Sequence, residues 1–282
     1  MQNCAALLGY RLDFPEAAID IACLRADPVF QQLDINQAVL ADHSVLALQP
    51  QEATAIVDDL NKHFAEDGVR FQSASADRWY CLLPRELQVS TQSPGNATGR
   101  SVSLTMARGP DAGTWRGWLS EIEMLLYAHP VNQQRAATGQ TQINSLWLWG
   151  EGNPDQLLLS KPGAVVYGDQ FYVQCIADYL ECRYEPLAAF ADHPIGGNTL
   201  IVDDRLRSAL ASGDSQWYDS VLQEYESGIF QVLESASGQH PSLNVQVWTG
   251  EDTWLRYTPG VKTQRWFSAI RKRLFGGAAS DR

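Results

Sequence analysis

An α/β layered fold is what this 282-residue sequence predicts, and three observations predict it. Segments with helical periodicity alternate with short runs of aromatic and β-branched residues. The run at 144–149 is closed by Gly150-Glu151-Gly152. A content of 45% hydrophobic and 19% charged residues is that of a chain with a packed core. The length suits one large domain or two modest ones.

Taken in order, residues 52–64 place Ala53, Ile56, Val57, Leu60 and Phe64 at three- and four-residue steps, the period of an amphipathic helix. Residues 78–83 (RWYCLL) predict a strand. Residues 88–113, rich in Ser, Thr, Gly and Pro, predict a long exposed loop. Residues 115–127 repeat Trp118, Leu119, Ile122, Leu125 and Leu126 as a helix that stops near His129-Pro130, because proline disfavours helical geometry in the residue before it. Residues 144–149 (NSLWLW) predict a strand closed by Gly150-Glu151-Gly152. Beyond them a strand is expected at 163–166, a helix at 170–179, a strand at 198–202, one long helix at 217–233 and a strand at 243–248. There is no internal repeat.

The net charge is −12, and the acidity lies in residues 1–261, because Lys262, Arg265, Arg271, Lys272, Arg273 and Arg282 face only Asp281 in the tail. An acidic chain lacks the concentrated Lys and Arg that phosphate backbones require, so no nucleic-acid partner is expected. In the tail, residues 264–275 put Trp266, Phe267, Ile270 and Leu274 on one helical face with basic residues elsewhere. That pattern suits peripheral or partner docking through 262–275, or packing on the chain's own acidic surface. No window approaches the roughly 18 apolar residues of a membrane span, and the start has no basic region ahead of an apolar one. The expectation is a cytoplasmic protein. Cys4, Cys23, Cys81, Cys175 and Cys182 are scattered and never spaced C-x-x-C, as expected of buried, reduced thiols.

The densest polar cluster is His129-Pro130-Val131-Asn132-Gln133-Gln134-Arg135. Asn132 and Arg135 are three apart, so on one helical turn they face the same way and can clamp an oxyanion. The plainer alternative is a solvated helix end whose arginine pairs with a nearby Glu. Arg25 beside Asp27, and Arg78 beside Asp77, carry the same two readings. The five histidines are isolated and there is no H-E-x-x-H, P-loop, G-x-S-x-G or G-x-G-x-x-G. Asp42-His43 and Asp192-His193 read as structural or surface pairs. Asp203-Asp204 follows a strand, where α/β sheets gather ligands, or else caps the helix that begins at Arg205.

Several ordered motifs resemble a known family. HPVNQQR, then Gly139, then NSLWLWGEG resembles the H-P-x-N-x-x-R, Gly, N-x-x-W-x-W-G-x-G series of archaeal-type cofactor-independent phosphoglycerate mutases. Leu24 to Val29 (LRADPV), Glu52-Ala53, Arg78 to Tyr80 (RWY) and Asn144 to Gly150 (NSLWLWG) resemble, in this order, the bacterial RpfE-type regulatory proteins. The resemblance spans about residues 7–258 and is weakest after 180. It implies a remnant of an alkaline-phosphatase-like core in 1–24, an α+β domain like the mutase insertion domain in 25–150, further α/β core in 151–261 and the basic helix in 262–282. It also implies that Arg25, Arg78, Asn132, Arg135 and Asn144 line a site for a phosphorylated or carboxylated small molecule.

That family works with a serine nucleophile and two divalent ions held by Asp and His. Leu7-Leu8-Gly9-Tyr10 resembles the family run that lies just after the serine. Cys4 stands near a family histidine, and Gly250-Glu251-Asp252 where the family has G-D-H. The expectation is therefore that the chain begins downstream of its natural start or that the scaffold has lost its chemistry. No catalytic residue, metal ligand or cofactor is assigned. The expected role is regulatory or binding, with an anionic small molecule or a protein as partner. The alternative is an active phosphotransfer enzyme with a divalent metal such as manganese at Asp192, His193, Asp203 and Asp204.

Overall fold

The computed structural model describes residues 4–17, 22–34, 37–40, 45–97, 106–153, 164–192, 197–239, 243–248 and 254–257. The tail helix expected at 262–275, the Gly250-Glu251-Asp252 run, His43 and His193 lie outside them. The fold is mixed α/β, and the chain divides into two compact units, residues 1–163 with 169–184, and residues 164–168 with 185–282.

The first unit is built on β1 (Ala22–Val29), β4 (Arg70–Ser73), β5 (Trp79–Leu83) and β6 (Ser145–Trp149), an antiparallel sheet in the order β4-β5-β1-β6. A hairpin of β2 (Gln31–Asp34) and β3 (Gln37–Leu40) follows β1. The LRADP run, read in the sequence as an arginine at the edge of an apolar segment, is instead a central strand. Pro28 is tolerated there because β1 has outrun β5 by that point and pairs only with β6.

Strand alternation splits the sheet into two faces. Leu24, Ala26, Phe71, Trp79, Cys81, Leu146 and Leu148 form the main core with α2 (Pro50–His63) and α4 (Ala112–Ala128), through Ala53, Ile56, Leu60, Trp115, Leu119, Ile122 and Leu126. On the opposite face, Cys23 and Tyr80 pack on Ala6, Leu7 and Tyr10 of α1 (Ala5–Asp13). With both faces covered, β6 is a nearly continuous buried run rather than an alternating one. Leu8 of α1 and Cys4, the residue that precedes the helix, also meet Cys175 of α6 (Phe171–Tyr179).

Local chemistry sets the helix ends. Pro50 opens α2, and Gln49 with Glu52 forms a capping box in which the Gln49 N–H donates to Glu52 Oε2 at 2.8 Å. Ahead of α4, Asp111 takes both arms of the Arg85 fork and the Gln88 N–H, which holds its carboxyl down at about 2. The segment expected as an exposed loop is partly tied in. It contains the short helix α3 (Pro94–Ala97), a bridge between Ser90 and Arg108, and buried Ala97 and Ala107, while 98–105 lie outside the described residues.

β8 (Arg183–Glu185) lies on the border of the two units, and in the second unit β7 (Val165–Tyr167) pairs parallel with β9 (Thr199–Ile201). Tyr167, Leu187 and Phe190 make its core with Ile229, Val232 and Leu233 packed on them. The helix expected at 217–233 is two: α8 (Ser215–Ser227) and α9 (Ile229–Gln239), which follow α7 (Arg205–Ser212). Gly228 breaks the run at φ −108 and ψ −91, outside helical geometry, and a Cβ there would come 2.9 Å from the Glu224 carbonyl. The strand expected at 243–248 is β10 (Val245–Trp248), paired with β11 (Trp254–Tyr257).

Candidate functional site

The face of the first sheet that α1 covers is the polar one. Period-two alternation sends Arg25 and Asp27 of β1 to that face, and Arg78 and Tyr80 share it, two residues apart at the start of β5. Arg25 is in register with both Tyr80 and Trp149, so its guanidinium lies 5.2 Å from one ring centre and 6.0 Å from the other. Arg25 Nε donates to Asp27 Oδ1 at 3.0 Å, Nη2 donates to the same oxygen, and Trp149 Nε1 donates to Asp27 Oδ2 at 2.6 Å. Burial raises the Asp27 carboxyl above the usual range, against the pull of Arg25 and the indole. Burial also works against the Arg25 charge, but Asp27 and Tyr80 outweigh it and keep the guanidinium charged.

Arg78 repeats the arrangement with a partner 65 residues away. Its Nε and Nη2 donate to Asp13 Oδ2 and Oδ1 at 2.7 and 2.8 Å, a fork closed on the last residue of α1. The sequence paired Arg78 with Asp77, yet Asp77 accepts from Ser75 Oγ. Tyr80 Oη donates to Asp13 Oδ2 at 2.6 Å, and burial pushes the Tyr80 hydroxyl far up, so it is a neutral donor. The Phe171 ring lies 3.9 Å from the Arg78 guanidinium. In both arginines the carboxylate occupies Nε and Nη2, and among the described residues Nη1 has no acceptor.

Two motif glycines are explained by how α1 sits on this face. A Cβ on Gly9 would lie 2.7 Å from Tyr80 Oη. Gly150 has φ +84, accepts from the Ala6 N–H at 3.0 Å, and has room for no side chain, since a Cβ would lie 2.9 Å from Ala6 N. Two residues along β1 from Arg25, Cys23 lines a cleft of about 360 Å³ with Leu7, Leu83, Arg85, Glu86 and Glu151. The Glu151 carboxylate accepts from Thr91 N at 3.0 Å and from Thr91 Oγ1.

The other three expected site residues lie apart from Arg25 and Arg78, with their polar atoms bound to the chain itself. Asn132 Nδ2 donates to the carbonyls of Leu126 and Ile143 at 2.8 and 2.6 Å, and its Oδ1 accepts from Ile143 N at 2.9 Å. Arg135, 1% exposed, donates through Nε to Thr141 O at 2.7 Å, through Nη1 to Glu52 Oε2 at 2.8 Å, and through Nη2 to Leu46 O. Asn144 exchanges two hydrogen bonds with the main chain of Gln31, at 2.7 and 2.8 Å. Asn132 and Arg135 do face one way on α5 (Pro130–Ala137), but inward, while the rest of the helix end is exposed and Arg135 pairs with Glu52, the carboxylate partner that the plainer alternative expects.

Asp27 stands as the local partner of Arg25 that the sequence offered, whereas Asp13, Tyr80, Trp149 and Phe171 were not singled out there. Tyr80 and Trp149 carried a usable signal, since both stand on expected strands beside motif positions; Asp13 carried none, because its pairing depends on where α1 docks. Elsewhere, Asp203 accepts from the Arg205 N–H at 2.9 Å and binds its guanidinium at 2.7 Å, so it caps and clamps the start of α7. Among the described residues no group of three or more His, Cys, Asp or Glu is placed to hold a metal ion, and no helix is long and apolar enough to cross a membrane.

This chain is similar in sequence to archaeal phosphoglycerate mutases. The 2,3-bisphosphoglycerate-independent phosphoglycerate mutase of Methanosarcina acetivorans is 25% identical over 203 residues, covering 64% of this chain and 51% of that protein. The Methanosarcina mazei and Methanosarcina barkeri proteins of the same name are 24% and 23% identical, covering 57% and 66% of this chain and 45% and 54% of theirs. The chain thus spans about half the length of the curated relatives it matches. Among solved structures, a cofactor-independent phosphoglycerate mutase from Thermoplasma acidophilum aligns with a TM-score of 0.36 at 15% identity, over 73% of this chain and 60% of that one. A protein from Pyrococcus horikoshii aligns with a TM-score of 0.46 at 13% identity, over 82% and 64%. No protein-family model matches the chain.

Proposed function

We propose that this chain is a phosphoglycerate-mutase-like protein of the RpfE regulatory type that binds an anionic small molecule, phosphorylated or carboxylated, at Arg25 and Arg78 without turning it over. The observation that carries the reading is the shared geometry of the two arginines. Each has Nε and Nη2 locked on an in-chain carboxylate and lies by an aromatic ring, which fixes the plane of the guanidinium and leaves Nη1 to meet an anion. A guanidinium held rigid in this way loses little side-chain entropy on binding. Similarity to proteins named phosphoglycerate mutases supports a ligand with phosphate and carboxylate groups. Asn132, Arg135 and Asn144 then serve as the frame of the domain rather than as ligand contacts.

The test separates binding from turnover. Purified protein is assayed for bound metal and for conversion of 3-phosphoglycerate, with and without manganese, alongside calorimetric titration with 3-phosphoglycerate. Heat of binding with no conversion in either condition is the expected outcome. Conversion that depends on manganese and disappears with chelator would replace this reading with an active metal-dependent phosphotransferase.

A further inference from the structure

The joint between α4 and α5 is capped by an imidazole. His129, 4% exposed, is the N-cap of α5 with an extended backbone, and its Nδ1 accepts the Val131 N–H at 3.2 Å. An acceptor at Nδ1 assigns the ring proton to Nε2. Nε2 faces α2, toward the Ala55 carbonyl and the Asp59 carboxylate, whose Oδ2 is 3.3 Å away, longer than a well-formed hydrogen bond.

The charged groups around the ring are few. On α2 stand Asp59 and, bound to Asp59 at 2.7 Å, Lys62, which already draws on that carboxylate. On α5 the ring meets the positive end of the helix dipole, and Arg135 in the last turn is matched by Glu52. α4 brings its Leu126 carbonyl, which accepts the His129 N–H at 3.2 Å. Burial lowers the imidazole below its ordinary range, and Asp59 offsets this only in part.

We propose that His129 is a pH-sensitive helix cap: the neutral ring holds the first turn of α5, and protonation removes the lone pair that binds the Val131 N–H and releases that turn. Imidazolium is a donor at both nitrogens, so Nδ1–H would face Val131 N–H, two donors opposed in a buried site. The direction follows from linkage. The unfolded chain takes up the proton at higher pH than the folded one, so the cap contributes fully above the ordinary imidazole range and loses its contribution as pH falls below it. Because α5 also carries Asn132 and Arg135, the segment at 141–143 and Leu46 depends on the turn that His129 caps.

The experiment follows the His129 ring and the Val131 amide by NMR between pH 8 and pH 5, and compares denaturant midpoints at pH 7.5 and 5.5 for wild type and His129→Asn. Asparagine caps without titrating. The expected results are a His129 midpoint below 6.5, at least a threefold rise in Val131 exchange at pH 5.5 after correction for intrinsic rate, and an acid loss of stability that is smaller in His129→Asn. His63, paired with Glu121 on the surface, is removed as His63→Gln in both backgrounds so that its own titration does not enter. A His129 midpoint at or above 6.5, or Val131 protection unchanged across its titration, overturns the proposal. The wild-type NMR arm decides this even if His129→Asn does not fold.

Discussion

Arg78 closes its guanidinium fork on Asp13, joining the start of a strand to the end of a helix 65 residues earlier at 2.7 and 2.8 Å. The pair is part-buried and Asp13 also accepts from Tyr80, so Arg78 both ties α1 to the sheet and presents one remaining donor edge. Arg78→Gln is expected to cost about 1.5–3 kcal/mol, the range for hydrogen bonds to a charged group. The midpoint of urea unfolding measures it. A loss near zero would mean that α1 is held by its apolar contacts alone.

The helical glycines divide by space. A Cβ on Gly9 would strike Tyr80 Oη at 2.7 Å and the Phe171 ring at 3.2 Å, whereas a Cβ on Gly117 in α4 meets nothing within 4 Å. Gly9→Ala should therefore destabilise by about 1–3 kcal/mol through overpacking. Gly117→Ala should stabilise by about 0.5–1 kcal/mol through helix propensity. Thermal unfolding of the two variants should move in opposite directions, and movement in the same direction would contradict the docking of α1.

Arg135→Ala is expected to act on stability. Removing the guanidinium leaves Glu52 and the carbonyls of Leu46 and Thr141 without their donor, a loss of about 3–5 kcal/mol for a buried pair broken on one side. Chemical denaturation checks this. A folded variant of unchanged stability with lost ligand affinity would return Arg135 to the binding site.

The thiols differ in burial. Cys23 and Cys175 are pushed up to about 12 by burial, and Cys4 and Cys81 are raised for the same reason, whereas Cys182 is partly exposed. Alkylation of native protein at pH 8 followed by peptide mapping should label Cys182 first, since the thiolate is the reactive form. Equal labelling of Cys23 would show that the α1 face opens readily.

Much of the fold was legible, because the segments at 52–64, 115–127, 144–149 and 170–179 bury one stripe or run that periodicity reveals. The structure starts and stops them within a few residues of those limits. β1 was hidden by Pro28, harmless only because β5 has already ended, a fact of register rather than of local sequence. The break at Gly228 was hidden by good helical spacing on both sides. At the site, the motif arginines and the Asp27 partner of Arg25 were visible, but the partner of Arg78 was not. Arg25 takes a carboxylate two residues on and Arg78 one from another element. The polar spacing of Asn132 and Arg135 looked the same whether the pair faced a ligand or, as here, the carbonyls of its own chain.

The central claim is that Arg25 and Arg78 receive an anion through their remaining donor edges. The most direct measurement is calorimetric titration of 3-phosphoglycerate, with inorganic phosphate as a second probe, into wild type, Arg78→Gln and Gly117→Ala at low salt. Removing one charged contact should weaken binding at least tenfold in Arg78→Gln, and Gly117→Ala should bind as wild type does. Equal affinity in all three proteins, or no heat with either probe in the folded wild type, would contradict the account.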